Sequence, residues 1–264
     1  MSEPLESILY VSSNIDDMKE AKDMLYSADW IEFYDRLMPE KHYRDSFRNI
    51  LRLIRQYSPS ARNVLELACG TGRYTKYFVK HRLNVEGIDI SYPAISLAKK
   101  RVKNTKFRVA DMSKIKYNSK YDIVACLFES FRYHTSFSQA QRTLDNCYDS
   151  LRPNGVFLCD FGVFPASTRP VQLHNKVRMK DGRVVIKDES ILTKGNFDTR
   201  SDYVTVLRGS KVIYEGTVRR SPLLRIPDNK MKYMLDRAGF KKIKALKNVI
   251  PDSPRTKLFI GQKI

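Results

Sequence analysis

The chain has 264 residues, 42% of them hydrophobic, which is enough apolar material for one large domain or one domain with an insertion. It has no run of apolar residues long enough to span a bilayer, and its Met1-Ser-Glu-Pro-Leu-Glu6 start lacks the basic and apolar regions of a secretory signal. The formal charge of +19 is uneven: ten acids against Lys19, Lys22 and Arg36 put residues 1–40 at −7 and leave +26 on the rest. Such a body can attract nucleic acid, an anionic surface or an acidic substrate, or be simply a solvated basic face.

In chain order, residues 3–57 read as helices. Asp16-Asp17 opens one, and Tyr43, Phe47, Ile50, Leu51 and Ile54 form a helical stripe in another. Ser58-Pro59-Ser60 breaks that pattern before Asn63-Val-Leu-Glu-Leu67, a short buried strand that runs into Gly70-Thr-Gly72. Arg73 to Lys80 continues as a helix with Tyr74, Tyr77 and Phe78 on one face. Asn84 to Ile90 is a second strand, and Ser91 caps the next helix with Pro93 in its first turn. Phe107 to Asp111, Tyr121 to Phe128 and Gly155 to Phe161 are three more strands, the last two separated by a helix that stops at Leu151-Arg-Pro-Asn-Gly155. This alternation predicts a parallel, doubly wound sheet.

The pattern then changes. Residues 172–220 read as an antiparallel meander: Val177 to Lys180, a turn at Asp181-Gly182, Arg183 to Leu192, Tyr203 to Leu207 and Val212 to Val218. A helix over Asn229–Ala238 is stopped by Gly239, and the strands Phe240–Val249 and Lys257–Gly261 finish the sheet. The expected organisation is a helical cover (1–60), a Rossmann-like core (61–170), a β insertion (171–220) and a closing segment (221–264). Cys69, Cys126, Cys147 and Cys159 show no metal or disulfide spacing and read as buried thiols of a cytoplasmic protein.

Gly70 and Gly72 lack a Cβ, so the backbone can turn tightly and approach a ligand. The third glycine of a dinucleotide loop would fall at Thr75, and no GxxxxGK[ST] run exists, so a phosphate cradle is not indicated. Asp89 ends the second strand 17 positions after Gly72, where a carboxylate can accept both hydroxyls of a ribose. Asp111 ends the third strand, where it could accept a hydrogen bond from an adenine amine, and Met112 beside it offers a backbone N–H and an apolar flank. Each aspartate alone is commonly a strand-end cap. Three adjacent strands ending this way are harder to explain as caps.

Glu66-Leu-Ala-Cys-Gly-Thr-Gly72 with Asp89 behind it, Tyr121-Asp-Ile-Val-Ala-Cys-Leu-Phe128 and Leu151-Arg-Pro-Asn-Gly-Val-Phe-Leu158 resemble the class I S-adenosylmethionine-dependent methyltransferases from about Arg62 to Phe161. The resemblance implies an α/β fold, a Rossmann-like doubly wound sheet of seven strands with N-terminal helices and an antiparallel β insertion after strand 5. It implies S-adenosyl-L-methionine as cofactor. By it, Glu66, Ala68, Gly70 and Gly72 surround the methionine part, Asp89 and Ile90 the ribose, and Asp111 with Met112 the adenine. Leu127 and Phe128 pass beside the amino acid moiety, and Arg73 or Arg44 lies near its carboxylate. Glu66 stands where many members carry aspartate, a departure that should change little.

An activated methyl donor asks the protein mainly to align the acceptor and exclude water, which accounts for the lack of a catalytic triad. An acceptor nitrogen that arrives protonated also needs a base or solvent to take its proton. His134, after the fourth strand, is the candidate base, although a histidine there is often a plain surface residue. Tyr133 and Tyr34 are candidates to line the pocket, Tyr34 from a covering N-terminal helix. The meander followed by Arg219-Arg-Ser-Pro222 and a helix is similar to small-molecule N-methyltransferases that act on amino sugars or glycine-like amines. This implies a small-molecule acceptor. RNA is the alternative, because Tyr133-His134-Thr135 is loosely similar to the guanine-methylating enzymes of messenger RNA caps and the body is basic. Against it, no strand alternates aromatic and basic residues. No metal and no membrane partner are expected, and the chain should be a monomer or a homodimer.

Overall fold

A computed structural model describes residues 31, 35, 39–162, 171–178, 182–251, 253 and 255–264. The described residues fall into two compact units, one of those in 39–164 and 225–264 and the other of 31, 35 and those in 165–224.

The larger unit begins with α1 (Glu40–Tyr57), whose predicted stripe of Tyr43, Phe47, Ile50, Leu51 and Ile54 is buried while Lys41, Arg44, Arg48, Arg52 and Arg55 face water. It continues through β1 (Asn63–Leu67), α2 (Arg73–Lys80), β2 (Asn84–Asp89), α3 (Tyr92–Arg101), β3 (Lys106–Val109) and β4 (Tyr121–Cys126). Then come α4 (Phe137–Ser150) and β5 (Leu151–Gly162). Short 3-10 turns at Met112–Lys114 and Ser130–Tyr133 follow β3 and β4. Ser91 caps α3 by accepting from the Ala94 N–H at 3.2 Å, and Ser136 caps α4 by accepting from Gln139 at 3.1 Å.

β1 lies in the interior of the sheet, in parallel register with β2 on one side and β4 on the other. Val64, Leu65 and Leu67 are therefore fully buried, as expected of a strand covered on both faces. Gly87 pairs with Glu66, and a Cβ there would lie 2.8 Å from the Phe107 ring and 3.0 Å from the Cys69 sulfur. Only glycine lets β2 pack that closely.

The closing elements of this unit are α5 (Asp228–Arg237), β10 (Lys241–Leu246) and β11 (Thr256–Gln262). The sheet has seven strands in the order β10-β11-β5-β4-β1-β2-β3; the first five strands in sequence are parallel, as predicted, and β11 is antiparallel to β5. Lys241, Lys242 and Lys244 line the β10 edge and discourage further pairing.

The second unit is a four-stranded antiparallel sheet, β6 (Val171–Arg178), β7 (Val184–Lys194), β8 (Phe197–Arg208) and β9 (Lys211–Leu224). The predicted meander is thus present with longer strands, and β8 starts six residues before the expected Tyr203. Polar β8 residues 198–202 conceal it: Asp198 and Asp202 are buried on the same face as Lys187 and Glu189, so hydrophobic alternation gives no signal.

Candidate functional site

The strand order reverses between β1 and β4, which opens a crevice at the carboxyl ends of the parallel strands. After β1 the backbone takes the left-handed conformation at every second residue: Ala68 at φ 50°, Gly70 at φ 53° and Gly72 at φ 76°. The Cys69 N–H ties the loop to Ile88 of β2 at 2.9 Å, and Arg101 holds the Thr71 carbonyl and hydroxyl. A Cβ at Gly70 would meet nothing within 4 Å, so this part of the loop faces open space; at Gly72 it would press on Ala98 at 3.2 Å.

Glu66 is buried below the loop and accepts a hydrogen bond from the Thr75 hydroxyl. Thr75 sits where a dinucleotide loop would need glycine, and this bond explains the threonine. Burial pushes the Glu66 pKa up to about 8 against that bond, with the Asp89 charge adding to the rise.

Asp89 bridges the loop and α3. Its Oδ2 accepts from the Gly70 N–H at 2.8 Å and its Oδ1 from the Ser91 N–H at 2.8 Å. Burial raises its pKa, opposed by the donors from Ser91, Gly70 and Ile90. With about four acceptor sites on the two oxygens, the carboxylate retains room for a further donor. Ile90 beside it is 53% exposed, a large apolar side chain left uncovered at the crevice edge. One strand over, Asp111 Oδ1 accepts from both the Ser113 N–H and hydroxyl at 2.8 Å, while Oδ2 lies 3.9 Å from the Lys114 ammonium. Met112 is half-buried, with its sulfur 4.0 Å from that of Cys126. Asp89 thus ends β2, and Asp111, two residues past the end of β3, caps the 3-10 turn at Met112–Lys114.

On the other wall, β4 ends at Cys126. Leu127 is buried, and Phe128 and Glu129 are both left-handed at φ 63° and 59°. Phe128 donates its N–H to Asp160 Oδ1 at 2.6 Å, and Glu129 donates its own to the Asp160 carbonyl at 3.1 Å. Burial lifts the Asp160 pKa to about 7. The Phe128 ring stacks on Tyr43 at 5.5 Å, and the Arg73 guanidinium lies 4.2 Å above the same Tyr43 ring. Arg73 also pairs with Glu40 at 3.3 Å.

The structure separates the two arginines proposed from sequence. Arg73 belongs to this aromatic corner, whereas Arg44 lies on the outer face of α1, its side chain 53% exposed and paired with Asp45 at 3.1 Å. One position past Tyr43, helical geometry turns Arg44 away from the crevice. His134 is also corrected. It is 1% exposed, with Nδ1 2.6 Å from the Phe131 carbonyl and Nε2 2.7 Å from the Thr143 hydroxyl. Burial lowers its pKa, so the ring is a neutral core element rather than a base presented to an acceptor. Tyr133, beside it, is half-buried. Tyr34 lies outside the described residues. Tyr43, Glu129 and Asp160 were not singled out from sequence, although an aspartate inside the apolar run Val156–Phe161 is a visible signal for the last.

Residues 64–155 match the family described as methyltransferase domain. The chain is similar to dTDP-3-amino-3,4,6-trideoxy-alpha-D-glucopyranose N,N-dimethyltransferase of Streptomyces venezuelae, 26% identical over 69% of this chain and 78% of that protein. It is 25% identical to dTDP-3-amino-3,6-dideoxy-alpha-D-glucopyranose N,N-dimethyltransferase of Streptomyces fradiae over 55% of this chain and 58% of that one. Among solved structures, DesVI of Streptomyces venezuelae superposes with a TM-score of 0.77 at 22% identity, covering 89% of this chain and 97% of that one. An S-adenosylmethionine-bound amino pentose methyltransferase from Micromonospora echinaspora superposes with a TM-score of 0.78 at 18% identity, over 97% and 100%. Among the described residues no helix is long and apolar enough to cross a membrane, and no cluster of potential metal ligands occurs.

Proposed function

We infer, from a core that belongs to the class I S-adenosylmethionine-dependent methyltransferases, that this chain methylates the nitrogen of a small amine, with a nucleotide-linked amino sugar as the acceptor class. The observation that carries the cofactor placement is Asp89, a carboxylate anchored by two backbone donors at the edge of an open, left-handed loop. The residues fit an adenosyl sulfonium. Asp89 holds the ribose diol with Ile90 against it, and Asp111 and Met112 take the adenine. Glu66, Ala68, Gly70 and Gly72 enclose the methionine part, Leu127 and Phe128 flank it, and Arg73 meets its carboxylate. None of these contacts requires a phosphate site, in keeping with the missing third glycine. The acceptor class is supported by the relatives' named substrates, and none of the relatives named above is named for RNA.

When bound, S-adenosylmethionine supplies a methyl group already activated on sulfur. The chain's part is to orient and to desolvate. The Tyr43, Phe128 and Arg73 corner fixes the loop after β4 against α1, and Asp160 locks its backbone. Tyr133 follows on the acceptor side. The four buried free thiols support a reducing, cytoplasmic setting.

Titration calorimetry tests the placement. Asp89→Ala should weaken S-adenosylmethionine at least about tenfold, the loss of a charge-assisted hydrogen-bond pair. Unchanged affinity would overturn it. Incubation with dTDP-3-amino-3,4,6-trideoxy-α-D-glucopyranose should add one or two methyl groups by mass, and no gain on this or related amino sugars would reject the acceptor class.

A further inference from the structure

We propose that Gln139 is a positioning residue for the cofactor's purine: through the Ser113 hydroxyl it sets the direction of the Asp111 carboxylate. The inference rests on the adenine lying beside Asp111, as placed above, and names the side chain that orients that carboxylate. The chain of bonds is short. Asp111 Oδ1 accepts from both the N–H and the hydroxyl of Ser113 at 2.8 Å. A hydroxyl has one proton to give, and Gln139 Nε2 donates to the Ser113 oxygen at 3.3 Å, so that proton is directed to Asp111. With two donors on Oδ1, the adenine amine falls to Oδ2, which has the Lys114 ammonium 3.9 Å away.

The plainer role for Gln139 is a helix cap. Ser136-Phe-Ser-Gln139 has the spacing of a capping box, in which a serine accepts from the N–H three residues on and a glutamine or glutamate there reaches back. α4 does begin this way. Ser136 Oγ accepts from the Gln139 N–H at 3.1 Å, and Gln139 Oε1 accepts from the Thr135 N–H at 2.7 Å and the Thr135 hydroxyl at 2.9 Å. All of this capping by the side chain falls on Oε1. A glutamate would serve as well, and its charge would suit the helix N-terminus better.

Nε2 has no part in the cap. It reaches off the helix to Ser113, in the 3-10 turn that Asp111 opens. Asn146, two helical turns further along the same face of α4, makes a parallel contact by donating its Nδ2 to the Ser113 carbonyl at 3.3 Å. Two amides of one helix thus grip one serine, Asn146 by its backbone and Gln139 by the hydroxyl that Asp111 uses. The donor on Nε2 is what separates glutamine from glutamate at this position, and its partner belongs to the cofactor site.

The 6-amine of the purine supplies the test. S-adenosylhomocysteine is compared by calorimetry with S-inosylhomocysteine, in which a carbonyl oxygen replaces that amine. The wild type should favour the adenosyl compound by about tenfold or more, as one hydrogen bond to a charged acceptor gives way to two facing oxygens. Gln139→Glu keeps Oε1 for Thr135 but presents an acceptor to Ser113, which draws the hydroxyl proton away from Asp111. This variant should melt at or above the wild-type temperature and yet cut the preference to about threefold or less. Ser113→Ala removes the hydroxyl and leaves Gln139 in its cap, and should lower the preference to the same extent. An unchanged preference in either variant would leave Gln139 a cap and nothing more, and would overturn the proposal. Equal loss of both compounds would overturn it as well, because a general defect of the fold does not tell them apart. If the wild type binds the two compounds alike, the adenine is not beside Asp111, and this inference falls with that placement. A preference that survives Gln139→Glu but not Asp111→Ala would keep the placement and remove only the role of Gln139.

Discussion

Glu66 shows how burial at a single residue becomes a measurable property of binding. With its pKa near 8, it holds its proton at pH 7 in the free protein. An unfolded chain releases that proton near pH 4.3, so the folded state binds more protons between the two values. Stability should therefore fall as pH rises from about 4.3 towards 8 and then level off, and Glu66→Gln should flatten this slope in denaturant titrations. Under the proposed placement, a cationic methionine end beside Glu66 lowers its pKa. S-adenosylmethionine binding at pH 7 should then release up to about one proton, seen as a dependence of calorimetric heat on the buffer's ionisation enthalpy. The Gln variant should lose that dependence, and an identical dependence in both proteins would refute the placement. At this scale the sequence was read well where spacing alone decides. Asp89 ends β2 as expected, whereas Asp111 lies two residues beyond the end of β3 and caps the 3-10 turn that follows. Spacing could not tell Arg73, at the start of α2, from Arg44, because Arg44 is turned outwards by a single helical position past the buried Tyr43 of α1. Nor could it foresee that His134 turns inward to satisfy the Phe131 carbonyl.

At the scale of elements, β2 joins packing to the site. Gly87 lies two residues before Asp89, against the Phe107 ring and the Cys69 sulfur. In Gly87→Ala the new methyl would overlap the ring, which should cost about 1–3 kcal/mol, read by denaturant melting. The strain should also displace the end of β2 and weaken S-adenosylmethionine. Phe107→Leu makes room, so the double variant should be more stable than the sum of the single losses predicts; strict additivity would contradict the packing account. Periodicity revealed the central strands because those of a covered parallel sheet are continuous apolar runs, whereas the order of the seven is seen only in the structure. It overran β4 by two residues: Leu127 and Phe128 are as apolar as a strand, and only the Asp160 hydrogen bond shows that the chain has turned. The early part of β8 was hidden for the opposite reason, since its buried positions are charged and are matched by Lys187 across the sheet.

For the whole molecule, the issue is what a net charge of +19 is for. Part of it is committed internally. Glu86 alone gathers Lys106, Arg108 and Lys120, with the hydroxyls of Tyr117 and Tyr121, and these partners hold its pKa down to about 2 despite burial. Another part is the solvated face of α1, where Arg44 and Arg48 share Asp45. A basic face read by RNA would bind through phosphates, and each neutralised phosphate steepens the salt dependence. With six to ten such contacts, affinity falls by roughly 10³–10⁵ between 50 and 200 mM salt. A small acceptor carrying one or two charges is screened far less, so kcat/KM should change by about threefold or less over the same range. Turnover of the amino-sugar nucleotide measured at those two salt concentrations therefore separates the uses of the charge. A flat profile makes the surface an aid to solubility and encounter. A loss of a hundredfold or more would return the basic body to the centre of substrate recognition and displace the small amine as acceptor.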